Sequence, residues 1–289
     1  GSRVTLHFWF FLGVLFIFMD SIARPLDAAV AVVILFALLM IHELAHRFAA
    51  RRVGGQHEEF VLWILGGMNP VVTPPNPKAM FMGNAAGIMA NAVTGAVAAA
   101  VLFALHYDPF STLKTLNPIT WLGFAFVWPN IVKAHVAGTG AQIGLSLIYQ
   151  IFIYSLGLVV VNLLPYAWFD GANIWEAVLW PIVGMYRAVY TVCIVGMVLA
   201  VPMFTLSLLG RSLLGMILWV LLFSSSYVRF QQLRAMGPGG LDEALGYATS
   251  YDDAPRRKHR RSWRNRWFRS AARKARKEQK EQERIDAIL

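Results

Sequence analysis

The chain has 289 residues, 57% hydrophobic and 15% charged, with a mean hydropathy of +0.52 and a formal net charge of +10. So apolar a composition excludes an ordinary soluble domain and places the chain among polytopic membrane proteins. Its single cysteine, Cys193, lies in an apolar run, which excludes a disulfide framework or a cysteine-based metal site within one chain.

In chain order, Val4–Met19 is the first span expected, sixteen residues without Lys, Arg or a carboxylate. It lacks a basic leader and a small-residue cleavage site, so it reads as a retained span and not a removed signal peptide. Asp20, Arg24, Pro25 and Asp27 form a polar turn. The second span starts at Ala28 and runs fourteen uncharged residues to Ile41, straight into His42-Glu43-Leu44-Ala45-His46. It ends in Arg47, Arg51 and Arg52, and Gly54-Gly55 break it.

The loop from His57 to Lys78 carries an apolar, β-prone segment, Phe60–Leu65, followed by Gly66-Gly67 and by Pro70, Pro74, Pro75 and Pro77, which oppose helix. Non-helical apolar chain at membrane depth must be buried in protein or line a cavity. Composition leaves two readings open, a re-entrant β-hairpin or a loop packed on the headgroups. Gly83–Leu105 is a third span of 23 uncharged residues. Gly83, Gly87, Asn91 and Gly95 recur every four residues and make a small-residue face for close helix approach, within the chain or between chains. Asn91 on that face reads either as interhelical glue or as a residue that positions ligands or substrate.

Thr115–Val132 is uncharged but interrupted by Pro118, Gly123 and Pro129, and reads as interfacial or re-entrant. Ala141–Phe169 is the longest uncharged run, at 29 residues, and holds the fourth span. Pro165 should break its helix and bring Asp170 to its mouth in irregular backbone, with Asn162 bonding backbone groups that the break frees. Ala188–Gly210 and Ser212–Val228 complete an all-α membrane domain of about six spans over residues 1–228.

Six spans put both termini on one side. That side collects Arg3, Arg47, Arg51, Arg52, Lys78, Arg187 and the basic tail, 22 of the 26 Lys and Arg. The positive-inside rule makes it cytoplasmic, in a multi-pass protein of the cell membrane. His42, His46 and Asp170 then share a depth near the cytoplasmic face. Residues 229–289 form a basic, partly helical tail with sixteen Lys/Arg against eight Asp/Glu, in which Trp263, Trp267 and Phe268 interleave with the cations. An anionic lipid surface is its expected partner. RNA contact through phosphates and stacking is the weaker reading.

The HExxH sequence puts two imidazoles at i and i+4 on one helix face, a spacing that suits two ligands of one zinc, with Glu43 between them placed to take a proton from metal-bound water. Alone, the motif also fits a helix end with two interfacial histidines. On an apolar span it is a functional candidate, because buried ionisable groups are costly in a membrane. Asp170 is the only carboxylate between Asp108 and Glu176. It reads as a helix-capping residue by itself and as a third metal ligand beside HExxH.

His42-Glu43-Leu44-Ala45-His46, the Gly87/Asn91 pair, and Asn162-Leu163-Leu164-Pro165 followed by Asp170-Gly171 together resemble the site-2 protease family of intramembrane zinc metalloproteases. The Gly66-Gly67 loop and the opening Arg3–His7 are similar to its compact bacterial branch, which includes a sporulation protease that processes a pro-sigma factor. The resemblance covers about residues 4–228. Phe169 stands where the family usually has Leu, and Ala172 where it often has Gly. The resemblance implies one zinc held by His42, His46 and Asp170, Glu43 as general base, and a transmembrane protein as substrate of a zinc metalloendopeptidase. It further implies a substrate strand added along the Phe60–Gly67 loop, and Asn91, Asn162, Gly66, Gly67 and Pro165 as residues that orient ligands or meet substrate. The competing classes are a metal-handling transporter and a catalytically silent relative acting as a scaffold. No inverted repeat supports the first, and the complete HExxH speaks against the second.

Overall fold

The computed structural model describes residues 4–6, 14, 25–55, 60–63, 66–67, 72–110, 140–210 and 213–244. In order these form β1 (Val4–Leu6), α1 (Pro25–Arg52), β2 (Phe60–Trp63), β3 (Gly66–Gly67), α2 (Pro77–Ala104), α3 (Gly140–Asn162), α4 (Asp170–Val183), α5 (Met185–Leu209) and α6 (Leu213–Ala244). Four stretches are helical, long and apolar enough to cross a membrane: Pro25–Arg52, Pro77–Ala104, Gln142–Asn162 and Met185–Leu209. α6 contains all but the first residue of the sixth expected span.

Helix α2 is the hub. It packs against α1, α3 and α4, while α4 bridges it to α5, and α5 pairs closely with α6. One apolar core joins α1, α2 and α3 through Leu38, Leu39, Leu102, Phe152 and Tyr154. A second joins α4, α5 and α6 through Trp180, Ala188, Cys193 and Leu233. The small-residue face of α2 is used inside the chain. Gly83, Gly87, Asn91 and Gly95 are all buried, and a Cβ on Gly95 would stand 3.1 Å from Ser155 of α3.

Several expectations are corrected. Val4–Leu6 is a strand and not the start of a helical span, because it pairs in parallel with Phe60–Leu62. The rest of that expected span, apart from residue 14, lies outside the described residues, as does Thr115–Val132. Gly66-Gly67 pairs antiparallel with Leu62 and Trp63, so the Phe60–Gly67 loop is a short hairpin at the end of a three-stranded sheet. Pro77 starts a helix. It occupies the first turn of α2, where its missing N–H is not needed, and Asn76 caps that turn by accepting from the Ala79 N–H at 2.8 Å. Asp170 does not lie in irregular backbone but is the first residue of α4. α6 continues past Val228, and the chain turns at Gly237, whose φ of 67° suits glycine.

Candidate metal centre

Helix α1 carries Asp27 in its first turn and Arg51 and Arg52 in its last, each charge complementing the helix dipole. With the helix continuous through residues 42–46, the imidazoles of His42 and His46 stack one turn apart, ring centroids 4.6 Å apart and nearly perpendicular. Both side chains are only 2% exposed.

Helix α2 sets the direction of each ring. His46 donates from Nδ1 to the carbonyl oxygen of Gly83 at 2.8 Å. A carbonyl only accepts, so a proton sits on Nδ1, and in the neutral ring it is Nε2 that presents a lone pair. Two turns along, the Asn91 amide lies 3.0 Å from His42 Nδ1. Its nitrogen faces the ring while its oxygen, fully buried, has no partner. With the amide turned over, its oxygen would accept from Nδ1–H and leave His42 Nε2 bare as well, the arrangement that ligation of an ion through Nε2 requires. Gly87, between Gly83 and Asn91, is where the rings need room. A Cβ there would stand 2.3 Å from His46 Nε2 and 2.6 Å from His42 Nε2.

The third group arrives on α4. Asp170 Oδ2 is 3.0 Å from both Nε2 atoms, which are themselves 3.0 Å apart. Gly171 makes this approach possible, since a Cβ there would meet the Leu163 and Leu164 backbone at 2.4 Å. Two bare imidazole nitrogens and an ionised oxygen at mutual contact repel one another unless a positive charge lies among them. Two nitrogens and one carboxylate oxygen form a donor set typical of catalytic zinc, whose ligands at about 2.0–2.2 Å stand roughly 3.3 Å apart. The residues fit a metal ion: among the described residues, His42, His46 and Asp170 form the group able to hold one.

Glu43 lies on the same turn, 3% exposed and about 100° around the helix from His42. Asn162 bonds to Leu158 O at 2.9 Å within its own helix end and makes no hydrogen bond to the three ligands. Pro165 is buried behind the site, its carbonyl facing Gly196 of α5. Gly66 and Gly67 are on β3, which lies against α1. Five further participants carry no local signal of a role in the sequence. The Gly83 carbonyl orients His46, as an i−4 neighbour of Gly87 on the same face. Asn84 and Asn173 bond α2 to α4, with Asn173 Nδ2 donating to Asn84 Oδ1 at 3.0 Å. Glu176 pairs with Arg229 at 2.7 and 2.9 Å, joining α4 to α6. Burial pushes the Glu176 carboxyl up, and Arg229 offsets part of that rise.

Comparison with known proteins points the same way. The chain is 33% identical over 117 residues to Rip3 of Mycobacterium tuberculosis, which bears the name of a zinc metalloprotease; the match covers 34% of this chain and 30% of that relative's length. The fold resembles that of the site-2 protease from Methanocaldococcus jannaschii with a TM-score of 0.54, at 21% identity, over 79% of this chain and 91% of the other. The profile of peptidase family M50 matches residues 30–206, an interval that holds all three ligand candidates and Glu43, and the chain belongs to that family.

Proposed function

We propose that the chain is an intramembrane zinc metallopeptidase that hydrolyses a peptide bond in or near a transmembrane segment of a membrane-protein substrate. The observation that carries this reading is the convergence of His42 Nε2, His46 Nε2 and Asp170 Oδ2 at 3.0 Å, at the end of an apolar helix that also bears Glu43. His42, His46 and Asp170 would hold the ion. When bound, a zinc ion lowers the pKa of water toward neutrality and polarises a carbonyl. Glu43 takes the proton that the attacking water gives up and returns it to the leaving amine nitrogen. Gly83 O and Asn91 keep both imidazoles in the tautomer that ligation requires, and such partners typically matter 10–100-fold. A substrate helix must open before its backbone is accessible. The β2–β3 hairpin beside α1 supplies backbone able to hold the opened segment extended.

On this reading both termini and the metal centre lie toward the cytoplasm, and the tail rests on anionic lipid, at about 1 kcal/mol per basic residue near the surface. The test is cleavage of single-span test substrates by purified protein in detergent, beside Glu43→Gln and a chelated sample. Cleavage by wild type that is lost in both controls supports the proposal. Cleavage that survives Glu43→Gln contradicts the role given to that residue.

A further inference from the structure

His42 and His46 are placed by one continuous helix, whereas Asp170 comes from a separate helix of 14 residues. No side chain caps the start of α4, and Phe169, the preceding residue, is extended. The height and roll of α4 therefore decide where Asp170 Oδ2 lies. A slip of one residue along a helix moves a side chain by about 1.5 Å and turns it by about 100°. Either change would take Oδ2 out of reach of both imidazoles.

Two polar ties act on α4 from different helices. Asn173 is bonded to Asn84 of α2, and Asn84, 2% exposed, is itself fixed by donating to Met80 O at 2.7 Å. Glu176, fully buried, meets Arg229 of α6 through both carboxylate oxygens, Oε1 at 2.7 Å from Nη1 and Oε2 at 2.9 Å from Nη2. Residues 173 and 176 point about 60° apart around the helix axis, so together the ties resist rotation as well as sliding. The charge-assisted hydrogen bond from Arg229 Nη2 to Glu176 Oε2 is directional, and the Nη1–Oε1 approach adds a close ion-pair contact. A buried ion pair adds little net stability over an apolar pair, so its geometry is the more informative property.

We propose that Glu176 and Arg229, with Asn173 and Asn84, are positioning residues that hold Asp170 at the metal centre by fixing α4 against α6 and α2. This rests on the metal-centre reading above. It also makes α6, remote from the ligands in sequence, a determinant of metal affinity.

The test uses the full chain in detergent and compares wild type, Arg229→Lys and the double variant Glu176→Met/Arg229→Met. The readouts are zinc affinity by chelator competition, the visible spectrum of the cobalt-substituted protein, and thermal stability. The double variant leaves no uncompensated buried charge, so it folds with stability close to wild type. Its zinc affinity falls at least tenfold and its cobalt spectrum changes. Arg229→Lys keeps the charge but loses the planar guanidinium, so its zinc affinity falls less than the double variant's, by about threefold. A folded double variant with wild-type affinity and spectrum overturns the proposal and leaves the metal centre standing. A double variant that does not fold also overturns it, by making the pair a determinant of folding. Wild type that binds neither ion removes the metal-centre reading itself, and this proposal with it.

Discussion

The two sides of the metal centre are built differently. On the histidine side, one helix spaces two ligands by its own repeat, and the neighbouring helix orients them through a backbone carbonyl and an amide. On the aspartate side, one ligand sits at the start of a short helix whose place depends on contacts with α2, α5 and α6. Local geometry is robust, because moving one histidine relative to the other means breaking helix hydrogen bonds. Tertiary placement is adjustable, because α4 moves as a body when its ties are changed. The aspartate side is therefore where ligation is most open to tuning.

The sharpest way to break this comparison is a methyl group on each side. Gly87→Ala puts a Cβ among the imidazoles, where flexible ring ends yield, so zinc binding is lost with a modest fall in thermal stability. Gly171→Ala meets backbone at 2.4 Å, which cannot yield, so zinc binding and stability fall together. Metal content and thermal unfolding of the two variants separate the cases; equal stability losses would contradict the contrast. A smaller effect is expected from Asn91→Ala, which frees His42 to change tautomer and should weaken zinc about 10–100-fold without removing a ligand. Chelator competition measures it. The smallest is expected from Gly95→Ala on the same helix face. Its Cβ would crowd Ser155 at 3.1 Å, a packing cost of about 1 kcal/mol that roughly cancels the gain in helix propensity, so zinc affinity stays at the wild-type value.

The same contrast governs how far the sequence could be read. The histidine side was legible because HExxH, the apolar run before it and the four-residue repeat of Gly83, Gly87, Asn91 and Gly95 are all local patterns. The structure brings Gly83, Gly87 and Asn91 to the two imidazoles, while Gly95 packs on Ser155. Asp170 was legible as an isolated carboxylate after a proline break, but its position as the first residue of a well-formed α4 was not, because Pro165 suggested irregular chain. In the structure α3 ends at Asn162, and Pro165 sits in the connection, where it costs no helix hydrogen bond. The Glu176–Arg229 pair was invisible. Its members are 53 residues apart, and no spacing rule links them. Val4–Leu6 was misread as helix because a short apolar run fits either structure until its strand partner is known. Pro77 reads as opposing helix in a run of prolines, although the first turn of a helix tolerates it.

The most direct test of the central claim is the metal content of purified wild type, Asp170→Ala and Glu43→Gln, measured after exhaustive dialysis. The account predicts one zinc per chain in wild type and in Glu43→Gln, and none in Asp170→Ala, since Asp170 is a ligand and Glu43 a base. Zinc retained at full stoichiometry and affinity by Asp170→Ala, or absent from wild type, would contradict it.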